Sequence, residues 1–179
     1  LGESQLSKLS VLFLSDAPEE GGLGLSLVDV GVINGTFGVI SMIAGGILGG
    51  LLISAQGLRK WIVPMALALN VPDVLYLLMS WLDIRNAAAV TLMISVEQLG
   101  YGFGFAAYSV FMLNISKGQY STSHYSISTA FMALGMMLPG MISGWVQSQI
   151  GYSGFFAWVL ACCVPSIAIA IIVRKRMLN

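Results

Sequence analysis

The residues best suited to chemistry lie in one otherwise apolar stretch, residues 87–116. Glu97 and Gln98 stand about one third of the way along it. Tyr101, Gly104 and Tyr108 follow Glu97 at spacings of three and four residues, so they lie on the same face of a helix. A carboxylate with two phenols beyond it could form a site for a proton or a polar solute. Glu97 could instead make a structural hydrogen bond between helices, but an acid with no base in its own helix is hard to justify by packing.

A second polar group opens the chain, where Glu3, Gln5 and Lys8 lie within residues 1–14. This segment is too short to cross a bilayer, and it ends in an apolar run just before a charged loop. We therefore expect it to be the last half of a helix, and the chain to be a fragment of a longer protein. Lys8 could pair with Glu3 or Glu97, or its long side chain could reach the membrane surface.

A third polar group, Asn70, Pro72 and Asp73, interrupts the apolar residues 61–82. Proline lacks a backbone N–H and leaves a carbonyl free, so it predicts a kink at this point. Asp73 is expected near the outer membrane surface, where solvation by water is the favoured interpretation and a functional role is the alternative.

The sequence lacks the residue sets that metal binding and enzyme catalysis require. His124 is the single histidine, and the adjacent Cys162 and Cys163 lie in an apolar stretch, where packing is a better explanation than a disulfide. One histidine cannot build a zinc site, and neither a nucleophile–base–acid order nor a glycine-rich phosphate loop is present. We therefore predict no metal, no cofactor and no enzyme activity. The zero net charge gives no reason to expect a nucleic-acid partner.

Membrane helices must hold these residues. Hydrophobic residues make up 57% of the chain and charged residues 9%, against about 25% charged in a soluble domain. Stretches long enough to cross a bilayer, which needs about 20 apolar residues, are 27–53, 61–82, 87–116, 125–150 and 152–173. Backbone groups in lipid must be satisfied within each segment, and the alternation of barrel strands is missing. The predicted fold class is an all-α membrane protein, a six-helix bundle whose first helix is truncated.

Basic and acidic residues alternate between the predicted loops. One set of loops and the tail carry Arg59, Lys60, Lys117, Arg174, Lys175 and Arg176. The alternate loops carry Asp16, Glu19, Glu20, Asp83 and Arg85. Cytoplasmic loops collect Lys and Arg, so the first set and the C-terminus are predicted to lie in the cytoplasm.

Glycines four residues apart predict where helices approach closely. Such pairs are Gly31/Gly35, Gly45/Gly49, Gly46/Gly50 and Gly140/Gly144. They are compatible both with helices that rock between two states and with a rigid bundle.

The loop between the first two full spans resembles a loop signature of the major facilitator superfamily. That signature contains a glycine, then an acid and a base, then a second glycine followed by bases. The matching residues are Gly50, Gly57, Arg59 and Lys60. Ser54 replaces the acid and Ala55 the first base. This pattern is similar to the weaker second copy of the signature, between helices eight and nine.

Residues 117–126 and the helix after them resemble the helix ten–eleven loop and helix eleven of muropeptide-permease-like transporters. Tyr120, Thr122 and Tyr125 match that family's loop, whereas Ser123 and His124 stand where the family has Thr and Gln. The resemblance covers nearly the whole chain as the C-terminal half, helices seven to twelve, of a twelve-helix carrier. It implies that an N-terminal six-helix half is missing.

The resemblance implies a secondary active transporter of the bacterial inner membrane that works by alternating access, as a proton symporter. Glu97 is the expected proton-coupling residue. The expected solute contacts are Gln5, Lys8, Gln98, Tyr101 and Tyr108. A muropeptide or another amino-sugar compound is the expected solute class. The alternative is a non-transporting membrane scaffold or receptor subunit, in which the glycine pairs would be interfaces and Glu97 a structural bond.

Overall fold

A computed structural model describes residues 1–176, and within this range the regular structure is helical, without strands. Helix α1 spans Gly2–Ser15, α2 Leu27–Gln56, α3 Leu58–Trp81 and α4 Ala87–Ile115. The last helical stretch, Ser121–Arg176, is broken at Gly151, which has φ 69° and ψ 176°. We number its two parts α5 (121–150) and α6 (152–176). These helices overlap the segments predicted at 1–14, 27–53, 61–82, 87–116, 125–150 and 152–173.

Three helical stretches are long and apolar enough to cross a membrane: Leu27–Gln56, Leu58–Trp81 and Ser121–Arg176. Helix α4 has 29 residues, but it is less apolar than these three stretches and is not one of them. Glu97 and Gln98, together with several glycines and tyrosines, lower the hydropathy of its middle. The stretch predicted at 87–116 is therefore a helix long enough to cross a bilayer, and the polar residues predicted in it lower its hydropathy.

Two helices contain an irregular turn. A π-helical turn, Ile33–Gly38, interrupts α2. A 3₁₀ turn, Val71–Asp73, interrupts α3 around Pro72, whose missing N–H prevents a regular α-helical hydrogen bond there. The interruption predicted at Pro72 is confirmed.

Buried side chains form two apolar clusters toward opposite ends of the helices. The larger joins α1, α2, α3, α4 and α6 and centres on the aromatic rings of Phe13, Tyr76, Tyr152, Phe155 and Phe156. The smaller joins α2, α3 and α4 and contains Ile53, Leu58, Ile62, Met65 and Ala107. Both clusters include residues of α2, α3 and α4, so these three helices connect the ends of the molecule.

Helix α4 packs closely against two neighbours at glycines. A Cβ added at Gly45 of α2 would overlap the carbonyl oxygen of Leu99, and one at Gly102 would overlap that of Met42. On the other side, a Cβ at Gly100 would overlap the carbonyl oxygen of Ala68 in α3. The predicted close approach is thus present at Gly45 and also at Gly49. Nothing lies within 4 Å of the added Cβ at Gly31, Gly35, Gly50 and Gly144.

Charged side chains separate to the two ends of the helices. The Tyr152 hydroxyl donates to Asp16, and the hydroxyls of Ser80 and Ser153 lie 2.6 Å apart. These bonds bring together the loops that carry the exposed acidic residues. At the opposite end, the start of α3 and the end of α6 form a groove with Arg59, Lys60, Arg174 and Lys175.

Candidate functional site

Three carboxyl groups from three different helices meet in the interior. Glu3 lies on α1, Asp73 on α3 and Glu97 on α4, with one oxygen of each within 4.8 Å of the others. Asp73 is 1% exposed and Glu97 is 2% exposed, whereas Glu3 is partly buried. We call Glu3, Asp73 and Glu97 the carboxylate triad.

Local backbone features bring the triad together. Asp73 ends the 3₁₀ turn at Pro72, which breaks the regular course of α3. Gly100, one turn after Glu97, has no side chain to separate α4 from Ala68 and Pro72 of α3. On α1, Gly2 lies against Cys163 and Val159 of α6, where an added Cβ would find no room. The small residues beside Glu97 and Glu3 therefore allow all three helices to converge on one point.

Few hydrogen-bond donors reach the triad. The Cys163 thiol donates to Asp73 Oδ2 over 3.3 Å, and Gln98 Nε2 donates to Glu97 Oε2 over 3.0 Å. The buried atoms Asp73 Oδ1 and Glu3 Oε2 have no hydrogen-bond partner among the described residues. An unpaired buried polar oxygen is unfavourable, so the triad has unused capacity to bind a proton or a cation.

No basic side chain neutralises the triad within residues 1–176, where the ion pair is the one between Arg85 and Asp83. Lys8 is exposed and lies along α5, close to Gly140. The suggested pairing of Lys8 with Glu3 or Glu97 is therefore wrong for this arrangement. Two carboxylates at this separation repel each other by about 3 kcal/mol at an effective dielectric constant of 20. Three simultaneous charges are thus disfavoured, and protonation or a bound cation would relieve the repulsion.

The triad borders a cavity of about 500 Å³. Tyr101, Gly104 and Tyr108 all line it, as their predicted common face requires, and so does Glu3. Asn70 also lines it and accepts a 2.8 Å hydrogen bond from Ser166 of α6. Glu97 is buried and does not line the cavity.

The remaining predicted site residues lie apart from one another. Gln5 is buried against α6, where it accepts a 3.1 Å hydrogen bond from the Trp158 indole and its amide lies 3.7 Å from the Cys162 sulfur. Gln98 is partly buried beside Glu97. Of the loop residues, Gly57 has φ 84° and ends α2, while Arg59 and Lys60 enter the basic groove. His124 is exposed near the start of α5.

Asp73 is the site residue whose position the sequence interpretation misjudged. It is buried, so the expectation that water at the membrane surface solvates it is wrong. Helix length carried the missing signal: Asp73 lies ten residues before Asp83, or roughly 15 Å along a helix, about half of a bilayer core. The prediction of no metal site rested on histidine and cysteine alone. Three carboxylates that lie this close together could also hold an ion.

Both cysteines are free thiols, as the packing interpretation requires. Cys163 is buried and is the donor to Asp73, a role that its position in the sequence does not reveal.

The chain is similar to bacterial permeases and transporters along almost its whole length. It is 24% identical over 177 residues to the anhydromuropeptide permease of Escherichia coli (strain K12), covering 99% of this chain and 35% of that protein. The putative transporter AmpG 1 of Rickettsia bellii is 19% identical over 155 residues, covering 87% of this chain and 38% of the relative. An uncharacterized protein of Haemophilus influenzae is 24% identical over 170 residues. No protein-family model matches the chain.

The chain therefore spans about a third of the length of these curated relatives. The resemblance to muropeptide-permease-like transporters is confirmed, as a match to part of such a protein. Together with the apolar helices, it identifies an integral membrane protein. The named relatives are permeases and transporters, which agrees with the expectation that the chain is not an enzyme.

Proposed function

We propose that residues 1–179 form the C-terminal six-helix half of a secondary carrier that moves a small solute across the membrane by alternating access. The similarity supports this assignment, because it covers nearly all of this chain and about a third of the longer permeases. An N-terminal half would supply the other wall of the solute pathway. The carrier would lie in a bacterial inner membrane with its C-terminus in the cytoplasm, as the basic loops favour.

The carboxylate triad is the observation that carries the proposal of proton coupling. In a dry interior the triad is favourable only when protons or a cation reduce its charge. When the carrier opens to one side, water could solvate a carboxylate and accept its proton. The charge of the triad would then depend on which side is open, which is the requirement for coupling solute movement to a proton gradient. Glu97, held by Gln98, is the proposed exchanging acid, and Glu3 and Asp73 share its protons.

The proposed solute is a muropeptide or a related amino-sugar compound, on the basis of the name of the Escherichia coli relative. Tyr101 and Tyr108 offer aromatic faces and hydroxyl groups to a sugar ring, and Tyr108 is 39% exposed. Lys8 is exposed and could attract an anionic peptide carboxylate. Gln98 would link the solute to Glu97. Gln5, which is bonded to Trp158, would contribute by holding α1 against α6.

Uptake by the full-length carrier tests proton coupling. Vesicles would receive radiolabelled anhydro-muropeptide under an imposed proton gradient, and Glu97→Gln would be compared with wild type. We expect proton-driven uptake to be lost while solute binding persists, because an amide cannot take up and release a proton as the carboxyl group does. Asp83→Asn, an exposed carboxylate paired with Arg85, is the matched control and should transport normally.

Two other results would change the proposal. Uptake that survives Glu97→Gln would make Glu97 a structural residue. No uptake by wild type, with a folded carrier, would favour the scaffold or receptor alternative. A sodium gradient imposed in place of the proton gradient separates the two ions, because only the coupled ion should drive accumulation.

A further inference from the structure

A basic groove lies where α3 begins and α6 ends, remote from the carboxylate triad. Arg59 and Lys60 face Arg174 and Lys175 across a space of about 690 Å³, and Val63 and Ile171 form its apolar part. Lys60 Nζ donates to Gln56 Oε1 over 2.5 Å. The groove thus combines four cationic side chains with an apolar surface between two helices.

No carboxylate side chain within residues 1–176 neutralises this groove. The sequence contains eight acidic residues. Three form the triad, and the other five belong to the opposite end or its loops: Asp16, Glu19, Glu20, Asp29 and Asp83. The described residues accordingly contain no ion pair that involves a groove residue. Four clustered cations without a counter-charge predict an external anion.

Helix stability does not explain the placement of Arg59 and Lys60. Both lie in the first turn of α3, which begins at Leu58 with no side-chain cap. The positive end of the helix dipole disfavours cations there, whereas it favours an anion. Arg174 and Lys175, at the end of α6, are favourable for their own helix. An anion between the two pairs would stabilise all four charges and the start of α3.

We propose that this groove binds the phosphate headgroup of an anionic phospholipid. The apolar part of the groove, at Val63 and Ile171, would contact the start of the acyl chains, which a free phosphate does not have. Basic pockets between membrane helices are a known basis for such recognition. The inference requires that the helices lie in a bilayer, and it does not depend on the proposed transport activity.

Native mass spectrometry of the chain released from detergent tests this site. Phosphatidylglycerol and phosphatidylcholine with the same acyl chains would be added at equal concentration, and the retained lipid counted. The groove variant is Lys60→Gln/Lys175→Gln. Its matched control is Lys117→Gln/Arg176→Gln, which removes the same charge at the same end but outside the groove. Lys60→Arg/Lys175→Arg, which keeps the charges, guards against loss of folding.

We expect wild type to retain phosphatidylglycerol preferentially, and the groove variant to lose about fivefold for each charge removed. The control and the arginine variant should remain within about twofold of wild type, since they leave the four groove charges in place. Equal loss in the groove variant and the control would reduce the groove to general surface attraction and overturn the site. No preference for phosphatidylglycerol in wild type would also overturn it. Displacement of the lipid by an equal concentration of inorganic phosphate would assign the groove to free phosphate instead.

Discussion

At the scale of single residues, the carboxylate triad has fewer hydrogen-bond donors around it than it has carboxylate oxygens to accept them. Cys163 and Gln98 each supply one donor, to Asp73 and Glu97 respectively. A hydrogen bond to a carboxylate stabilises its charge, whereas a neighbouring carboxylate repels it. Two such bonds can therefore stabilise one charged carboxylate in the triad but not three. The remaining acidic groups are most favourable in their neutral, proton-donating form.

Asp73→Asn should separate stability from transport. The amide keeps the shape of the carboxyl group, removes one acid and adds donors that Glu3 or Glu97 could accept. We expect the unfolding temperature of the chain in detergent to stay the same or to rise by a few degrees, since about 1 kcal/mol corresponds to 2–4 °C at this size. Uptake by the full-length carrier should be lost. Asp83→Asn should alter neither quantity, and a clearly lowered unfolding temperature for Asp73→Asn would indicate that the fold needs a charged Asp73.

The sequence was sufficient to single out Glu97, because an acid inside an apolar helix is unfavourable wherever that helix lies. It did not reveal the triad. Glu3 and Asp73 meet Glu97 only after α1, α3 and α4 take their relative positions, and these depend on contacts at Gly2 and Gly100. Residue spacing describes the faces of a single helix and contains no information about which faces converge.

At the scale of helices, α4 is held on two sides by backbone contacts. Gly102 meets Met42 of α2, and Gly100 meets Ala68 of α3. Glu97 lies a few residues before both glycines, so these contacts fix its position between α2 and α3. The apolar stretches were visible in the sequence, because length and apolar composition are local properties. The sequence could not tell which glycines of a pair face another helix and which face outward.

Gly45→Ala should therefore destabilise the chain, whereas Gly50→Ala on the same helix should not. The added methyl group at Gly45 meets the Leu99 carbonyl, while nothing lies within 4 Å of the one at Gly50. Overpacking of this kind costs about 1–3 kcal/mol, so we expect a loss of several degrees in unfolding temperature. Equal unfolding temperatures for the two variants would mean that α2 and α4 separate easily and that the glycine contact is not needed.

At the scale of the whole molecule, a net charge of zero conceals a strong separation of charge. The basic groove lies at one end of the helices, and the acidic loops come together at the other through the Asp16–Tyr152 and Ser80–Ser153 bonds. The alternation of charge between successive loops was visible in the sequence, since each helix reverses the direction of the chain. The assembly of separate basic residues into one groove depends on the contact of α3 with α6 and required the structure.

This separation of charge predicts one orientation in the membrane, with Lys117 in the cytoplasm and Asp83 outside. In intact cells that express the full-length carrier, a membrane-impermeant maleimide should label Asp83→Cys and leave Lys117→Cys unlabelled. After the cells are permeabilised, both should react. The parent protein, whose Cys163 is buried and whose Cys162 is partly buried, measures the background from the native cysteines in both conditions. Labelling of Lys117→Cys in intact cells would reverse the orientation and would place the basic groove at the outer surface, where proton entry and lipid binding would have to be reassigned.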